Sequence, residues 1–291
     1  MTIASSTDIL SAARSRHDHV VDVLIAERAP NLTGHPAWPL LRPALYGLLD
    51  YGKARRMADA IAPLPGADAL ETVSRLLDVK LHVQNLDRLP RTGRCVVIAN
   101  HPTGIADGVA VYDAFKHLRP DLCFYANSDA HRVAAGFEEV LIPVEWVEEK
   151  RTRERTRLTL QLTREAMEAE RALVIFPAGR LARRGPDGTL ADPAWMPSAV
   201  SIARKFDAPV APLHMAGPWS TLFHFFNRFS AELRDITLFH ELLNKRGRRF
   251  SLTLGPLIPP EALAGEAQAA TEALKAYVER ALPADPDRPF A

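Results

Sequence analysis

At 291 residues, 47% of them apolar, and a formal net charge of +1, the chain can build one large core plus a smaller appendage, and its charge gives no sign of a nucleic-acid partner. No apolar run approaches the roughly 18 residues that span a bilayer, and no charged N-terminal segment leads into an uninterrupted apolar one, so any membrane contact is expected to be peripheral. Cys95 and Cys123 both fall in predicted strands and read as small buried hydrophobes in a reducing compartment, which favours the cytoplasm or the inner face of the cell membrane.

In chain order, Thr7 to Glu27 places Ile9, Leu10, Ala13, Val20, Val23 and Leu24 at helical spacing. Gly34, Pro36, Pro39 and Pro43 then interrupt regular structure. A second helix is predicted from about Pro43 to Ile61 and a third from Ala67 to Leu77, so residues 1–78 are expected to form an N-terminal helical region and residues 79–291 an α/β domain. The stretch Trp38 to Tyr51, with Lys53, Arg55 and Arg56 behind it, reads as a helix packed on the main domain or as a surface for an anionic membrane.

From residue 80 strands alternate with helices. The predicted strands are Lys80 to Val83, Cys95 to Ala99, Leu122 to Ala126, Val140 to Val144, Leu173 to Phe176, Val210 to Met215 and Phe250 to Leu254. Helical stretches lie at Gly108 to Leu118, Ala130 to Glu138, Thr152 to Arg171 and Met196 to Lys205. This is the pattern of an α/β fold with a largely parallel central sheet flanked by helices, in which ligands bind beyond the carboxyl ends of strands.

His101 follows such an end, and Asp107 opens the next helix. An imidazole can act as a general base near neutral pH, and a carboxylate on its other ring nitrogen holds the tautomer and stabilises the imidazolium. Five residues separate the two, and Gly104, able to take positive φ, is where the loop is expected to absorb that length. Gly179 and Arg180 follow a second strand end, with Arg183 and Arg184 close behind. Guanidinium groups suit an anionic head group. Lys150, Arg151, Arg153, Arg155 and Arg157 crowd a helix start, where cations oppose the helix dipole, and read as a solvated face or an attraction for anionic lipid or an acyl carrier. Trp219, Leu222, Phe223, Phe225, Phe226 and Phe229 read as core, with an acyl-chain groove or membrane contact as the alternative. His214, His224 and His240 lack the spacing of a zinc site.

Asn100-His101 with Asp107 resembles the signature of the glycerophospholipid and lysophospholipid acyltransferases, in the longer-spaced form of hemolysin-like and ornithine-lipid acyltransferase sequences. Val174 to Arg180 is similar to that family's Phe-Pro-Glu-Gly-Thr-Arg block, with Ala178 at the glutamate. Ala208 to Leu213 resembles its Val-Pro-Val-x-Pro strand, and Leu242 to Gly247 leads into a strand ending at Gly255-Pro256. The resemblance covers roughly residues 80 to 260. It implies transfer of a fatty acyl group from acyl-CoA or acyl carrier protein to the hydroxyl of a lysophospholipid or related lipid acceptor, with no metal or covalent enzyme intermediate. His101 would be the base and Asp107 its partner. Asn100, Thr103, Gly104, Phe176, Pro177, Gly179, Arg180 and Arg183 would contact substrate, the backbone N–H groups near Thr103 and Gly104 stabilising the oxyanion. A weakly active lipid-binding protein and a thioester hydrolase remain as alternatives.

Overall fold

The structure is a computed structural model and describes residues 18–145, 152–184 and 190–291. It opens with five helices: Val20–Arg28 (α1), Pro30–Thr33 (α2), Trp38–Leu48 (α3), Tyr51–Ile61 (α4) and Gly66–Leu77 (α5). The predicted first helix lies outside the described residues before residue 18. Its described part starts at Val20, where the His19 ring accepts the Val21 N–H (3.1 Å). The single helix predicted from Pro43 to Ile61 is instead two. Pro39 sits in the first turn of α3, where no N–H is needed, and Pro43 forfeits one bond inside an exposed helix. Asp50, at φ 54°, then reverses the chain before α4.

The sheet strands are Lys80–Gln84 (β1), Cys95–Ala99 (β2), Cys123–Asn127 (β3), Leu141–Val144 (β4) and Ala172–Ile175 (β5). Two strands of two residues each, Arg183–Arg184 (β6) and Leu190–Ala191 (β7), pair antiparallel and precede Val210–Ala216 (β8) and Arg249–Leu254 (β9). Seven strands form the main sheet in the order β1-β9-β8-β2-β5-β3-β4, parallel throughout except for the β8–β9 pair. β2 is buried along its whole length because both sheet faces are covered. Val97 and Ala99 face a core shared with α1, α4, α5, Ile105–Phe115 (α6) and the helices between β8 and β9, whereas Val96 and Ile98 face Arg153–Glu168 (α8), Ser198–Lys205 (α9) and Ala267–Ala276 (α13).

The N-terminal helices therefore cover one face of the sheet, and where Gly66 meets Gly136 the approach is backbone on backbone. A Cβ on Gly136 would lie 2.2 Å from the Leu64 carbonyl oxygen, and one on Gly66 2.3 Å from that of Gly136. This contact also explains why the helix predicted from Ala130 to Glu138 is only a short turn, Asp129–Val133 (α7), followed by a 3-10 turn at Phe137–Glu139. Lys150 and Arg151 of the basic run lie outside the described residues; α8 is capped by Thr152, which accepts the Arg155 N–H (3.2 Å). The helix α13 lies beyond the predicted elements, although its Ala, Glu, Leu and Lys content favours helix and Glu266 caps it.

Candidate active site

The carboxyl ends of β2, β5 and β8 meet at the centre of the sheet, and the loop after β2 carries His101. Gly104, at φ 83°, turns the chain so that Asp107, in the first turn of α6, reaches back. Its carboxylate is fully buried. Oδ2 accepts the N–H groups of Thr103 (2.8 Å) and Gly104 (3.0 Å), and Oδ1 accepts the Thr103 hydroxyl (2.5 Å). The same Oδ2 lies 3.0 Å from His101 Nδ1. That approach is close but poorly aimed, since Nδ1 makes no well-formed hydrogen bond. In unliganded sites such contacts are commonly loose and tighten with substrate. With Nδ1 facing Asp107, Nε2 is the nitrogen left for proton transfer.

Several contacts hold the histidine. Its ring stacks on Phe176 with centroids 4.5 Å apart and planes at 27°. Its carbonyl accepts the Ala182 N–H (3.0 Å), and Leu181 covers Gly104, leaving 2.8 Å to where a Cβ would stand. Its N–H is shared by both carboxylate oxygens of Asp192 (3.1 and 3.0 Å), which also accepts the indole N–H of Trp195 (2.9 Å). The loop after β5 thus closes over the loop after β2 and brings Arg180 and Arg183 with it.

Residues 80–216 match the family model described as Acyltransferase. These residues form an acyltransferase domain. The chain is similar to two proteins named lyso-glycine lipid O-acyltransferase. The one from Phocaeicola vulgatus is 29% identical over 67% of this chain and 70% of the relative, and the one from Bacteroides thetaiotaomicron is 25% identical over 67% and 71%. A crystal structure of the 1-acyl-sn-glycerophosphate acyltransferase PlsC from Thermotoga maritima aligns at a TM-score of 0.48 and 14% identity, covering 77% of this chain and 82% of that one.

Within the acyltransferase domain the structure reassigns several sequence-predicted residues. Asn100 spends its side-chain amide on Met215, donating to its carbonyl (2.8 Å) and accepting its N–H (2.6 Å). It prolongs the β2–β8 pairing rather than facing substrate. The N–H groups of Thr103 and Gly104, expected at the oxyanion, are committed to Asp107, because a buried carboxylate needs donors. Phe176 is buried under the imidazole, Pro177 accepts the Met196 N–H (3.1 Å), and Gly179, at φ 60°, closes a tight turn onto Phe176. Ala178, at the family's glutamate, is buried in the core. Arg180 is exposed. Arg183 is half-buried, and its Nε has no hydrogen-bond partner. Burial, then the neighbouring positive charges of Arg234 and Arg180, push the Arg183 guanidinium below its ordinary value. The side chain of Arg184 lies outside the described set.

Asp192, Trp195 and Arg234 are absent from the sequence reading. Asp192 lies 91 positions from His101, beyond the reach of any local pattern. Arg234, on Ala231–Asp235 (α11), bonds Asn227 (2.9 Å) and forms a forked pair with Asp235 (2.7 and 3.0 Å). The aromatic cluster divides: Phe223 and Phe226 are buried, whereas Trp219, Phe225 and Phe229 are exposed.

Burial pushes the Asp192 carboxyl from the usual 3.8 up to about 6, against the opposing effects of His101 and Trp195. A raised carboxyl pKa means that ionisation costs stability. The contribution is fully present below pH 3.8 and is lost as the pH rises through about 6, in all about 3 kcal/mol. The wild-type melting temperature, measured relative to Asp192→Asn, should fall as the pH is raised from 4 to 7 and then level off. A pH-independent difference would show that Asp192 titrates normally.

Proposed function

We propose that this chain is a lysolipid O-acyltransferase that moves a fatty acyl group from a thioester, on coenzyme A or acyl carrier protein, to an acceptor hydroxyl. The observation that carries the reading is the His101–Asp107 pair at the carboxyl end of β2, inside the acyltransferase domain. His101 Nε2 takes the hydroxyl proton as the acceptor oxygen attacks the thioester carbonyl. Collapse of the tetrahedral intermediate breaks the C–S bond, and the departing thiolate takes the proton from the imidazolium. Asp107 stabilises the imidazolium in between. The names of the two relatives support a lysolipid acceptor.

Arg180 and Arg183 favour an acceptor with an anionic head group, since Arg183 has an unpaired, buried Nε beside the exposed Arg180, while the neighbouring Arg234 is already paired with Asp235. Peripheral seating on an anionic membrane fits exposed Leu40, Leu41, Phe225 and Phe229. Among the described residues no helix is long and apolar enough to cross a bilayer.

The test is transfer of labelled acyl groups from acyl-CoA and from acyl carrier protein to lyso-glycine lipid, lysophosphatidic acid and an uncharged lysolipid. Product from at least one pair, dependent on the acceptor, supports the reading; release of free fatty acid alone would make the protein a hydrolase. Arg183→Ala should raise KM for the anionic acceptor by about tenfold with little change in kcat and leave the uncharged acceptor unaffected. An equal rise for both would assign Arg183 to holding the hairpin.

A further inference from the structure

The hairpin β6–β7 lies between two kinds of residue. Arg183, on its first strand, pairs in register with Ala191, and Asp192 follows at once. Ala182, just before the hairpin, donates to the His101 carbonyl, while Asp192, just after it, accepts the His101 N–H with both oxygens. The main chain of the histidine is thus gripped from both sides by one segment. That segment is anchored in turn: the Asp192 N–H goes to Glu279 Oε1 (2.7 Å), and the other Glu279 oxygen pairs with Lys275 (2.5 Å).

An amide N–H needs only a neutral acceptor, yet here it is met by a carboxylate that is 6% exposed. Keeping an ionisable group so deep carries a desolvation cost, and a charge-assisted bond to an amide is roughly twice as strong as a neutral one. We propose that Asp192 is a positioning residue, which fixes the main chain of His101 so that its ring stays between Asp107 and Phe176 and its Nε2 stays aimed at the acceptor hydroxyl. The assignment rests on His101 being the base. The charged and titratable groups that act on Asp192 are His101 from the loop after β2 and Glu279, with its partner Lys275, from the C-terminal helical segment; His214 on β8 bonds the Val278 carbonyl (2.9 Å) and feels Glu279 in turn.

The experiment combines steady-state kinetics of Asp192→Ala and Asp192→Asn with amide NMR of the full chain. Asp192→Ala should lower kcat by about tenfold to a hundredfold, the scale of a small misplacement of a reacting group, with acceptor KM within about twofold. Asp192→Asn, which retains one acceptor oxygen, should recover part of that loss. The His101 amide proton should titrate in the wild type with a midpoint near 6 and lose that titration in Asp192→Asn. A folded Asp192→Ala with wild-type kcat, or a His101 amide indifferent to pH, would overturn the proposal and leave the base assignment standing. Full activity in His101→Ala would overturn both.

Discussion

Replacing His101 by alanine is expected to lower kcat for acyl transfer by about 10²- to 10⁴-fold, the range lost with a general base, while the protein remains folded. Removing the ring gives up a stack on Phe176 and one poorly aimed contact with Asp107. The bonds that shape the loop are untouched: Asp107 keeps Thr103 and Gly104, and the backbone N–H of residue 101 keeps Asp192. Asp107→Ala should behave differently. It removes the carboxylate beside the imidazole and also unpairs two backbone N–H groups at the start of α6, so stability and rate fall together. Initial rates with labelled acyl thioester, alongside thermal unfolding, separate the two. Transfer by His101→Ala within tenfold of wild type would remove the residue from the chemistry.

The largest stability effect is expected at Lys245. Its side chain is 1% exposed, with Nζ 2.9 Å from Glu241 Oε2 and 3.0 Å from the Ser220 hydroxyl. Glu241 also accepts the Phe223 N–H (3.3 Å) and the Asn244 amide (3.3 Å). Burial alone would raise the Glu241 carboxyl, but Lys245, with Ser220 and Asn244, outweighs it and holds the group below its usual range. Lys245→Ala leaves a buried carboxylate without its counter-charge and should cost about 3–5 kcal/mol. Because the carboxylate is the source of the penalty, Lys245→Met combined with Glu241→Leu should recover most of the loss. Chemical denaturation of the single and double variants measures this. A single variant within about 1 kcal/mol of wild type would show that water reaches the pair. The effect reaches the active site, because the segment between Gly217 and Phe223 borders it: a Cβ on Gly217 would stand 2.5 Å from the Thr103 methyl.

These two residues differ in how far the sequence exposes them. His101 stands out because its surroundings are local. A β-branched run, a Pro-Thr-Gly turn and an acidic helix start are all within a few positions, and Gly104 has the positive φ that the extra residue requires. Lys245 falls in Leu242 to Gly247, a block that carries the family resemblance, but no local spacing shows that it is buried, and its burial arises where α12, Leu238–Leu243, folds against the chain leaving β8. The same contrast holds for helices. Prolines mark α3 correctly as unusual but do not reveal that it is a helix, since an N-terminal proline costs nothing and Pro43 costs one bond in an exposed face.

By itself the sequence determined the alternation of strands and helices, the mainly parallel sheet, and the histidine, aspartate and arginines near its carboxyl edge, because these depend on side-chain periodicity and turn chemistry over spans of a few residues. Only the tertiary structure decided which groups surround the histidine. Asp192 meets its amide from 91 positions away, Phe176 lies under its ring, and Asn100 and the N–H groups of Thr103 and Gly104 are turned inward to Met215 and Asp107. Those partnerships follow from strand order and from the need of every buried polar group for a partner, and neither is written in the spacing of residues along the chain.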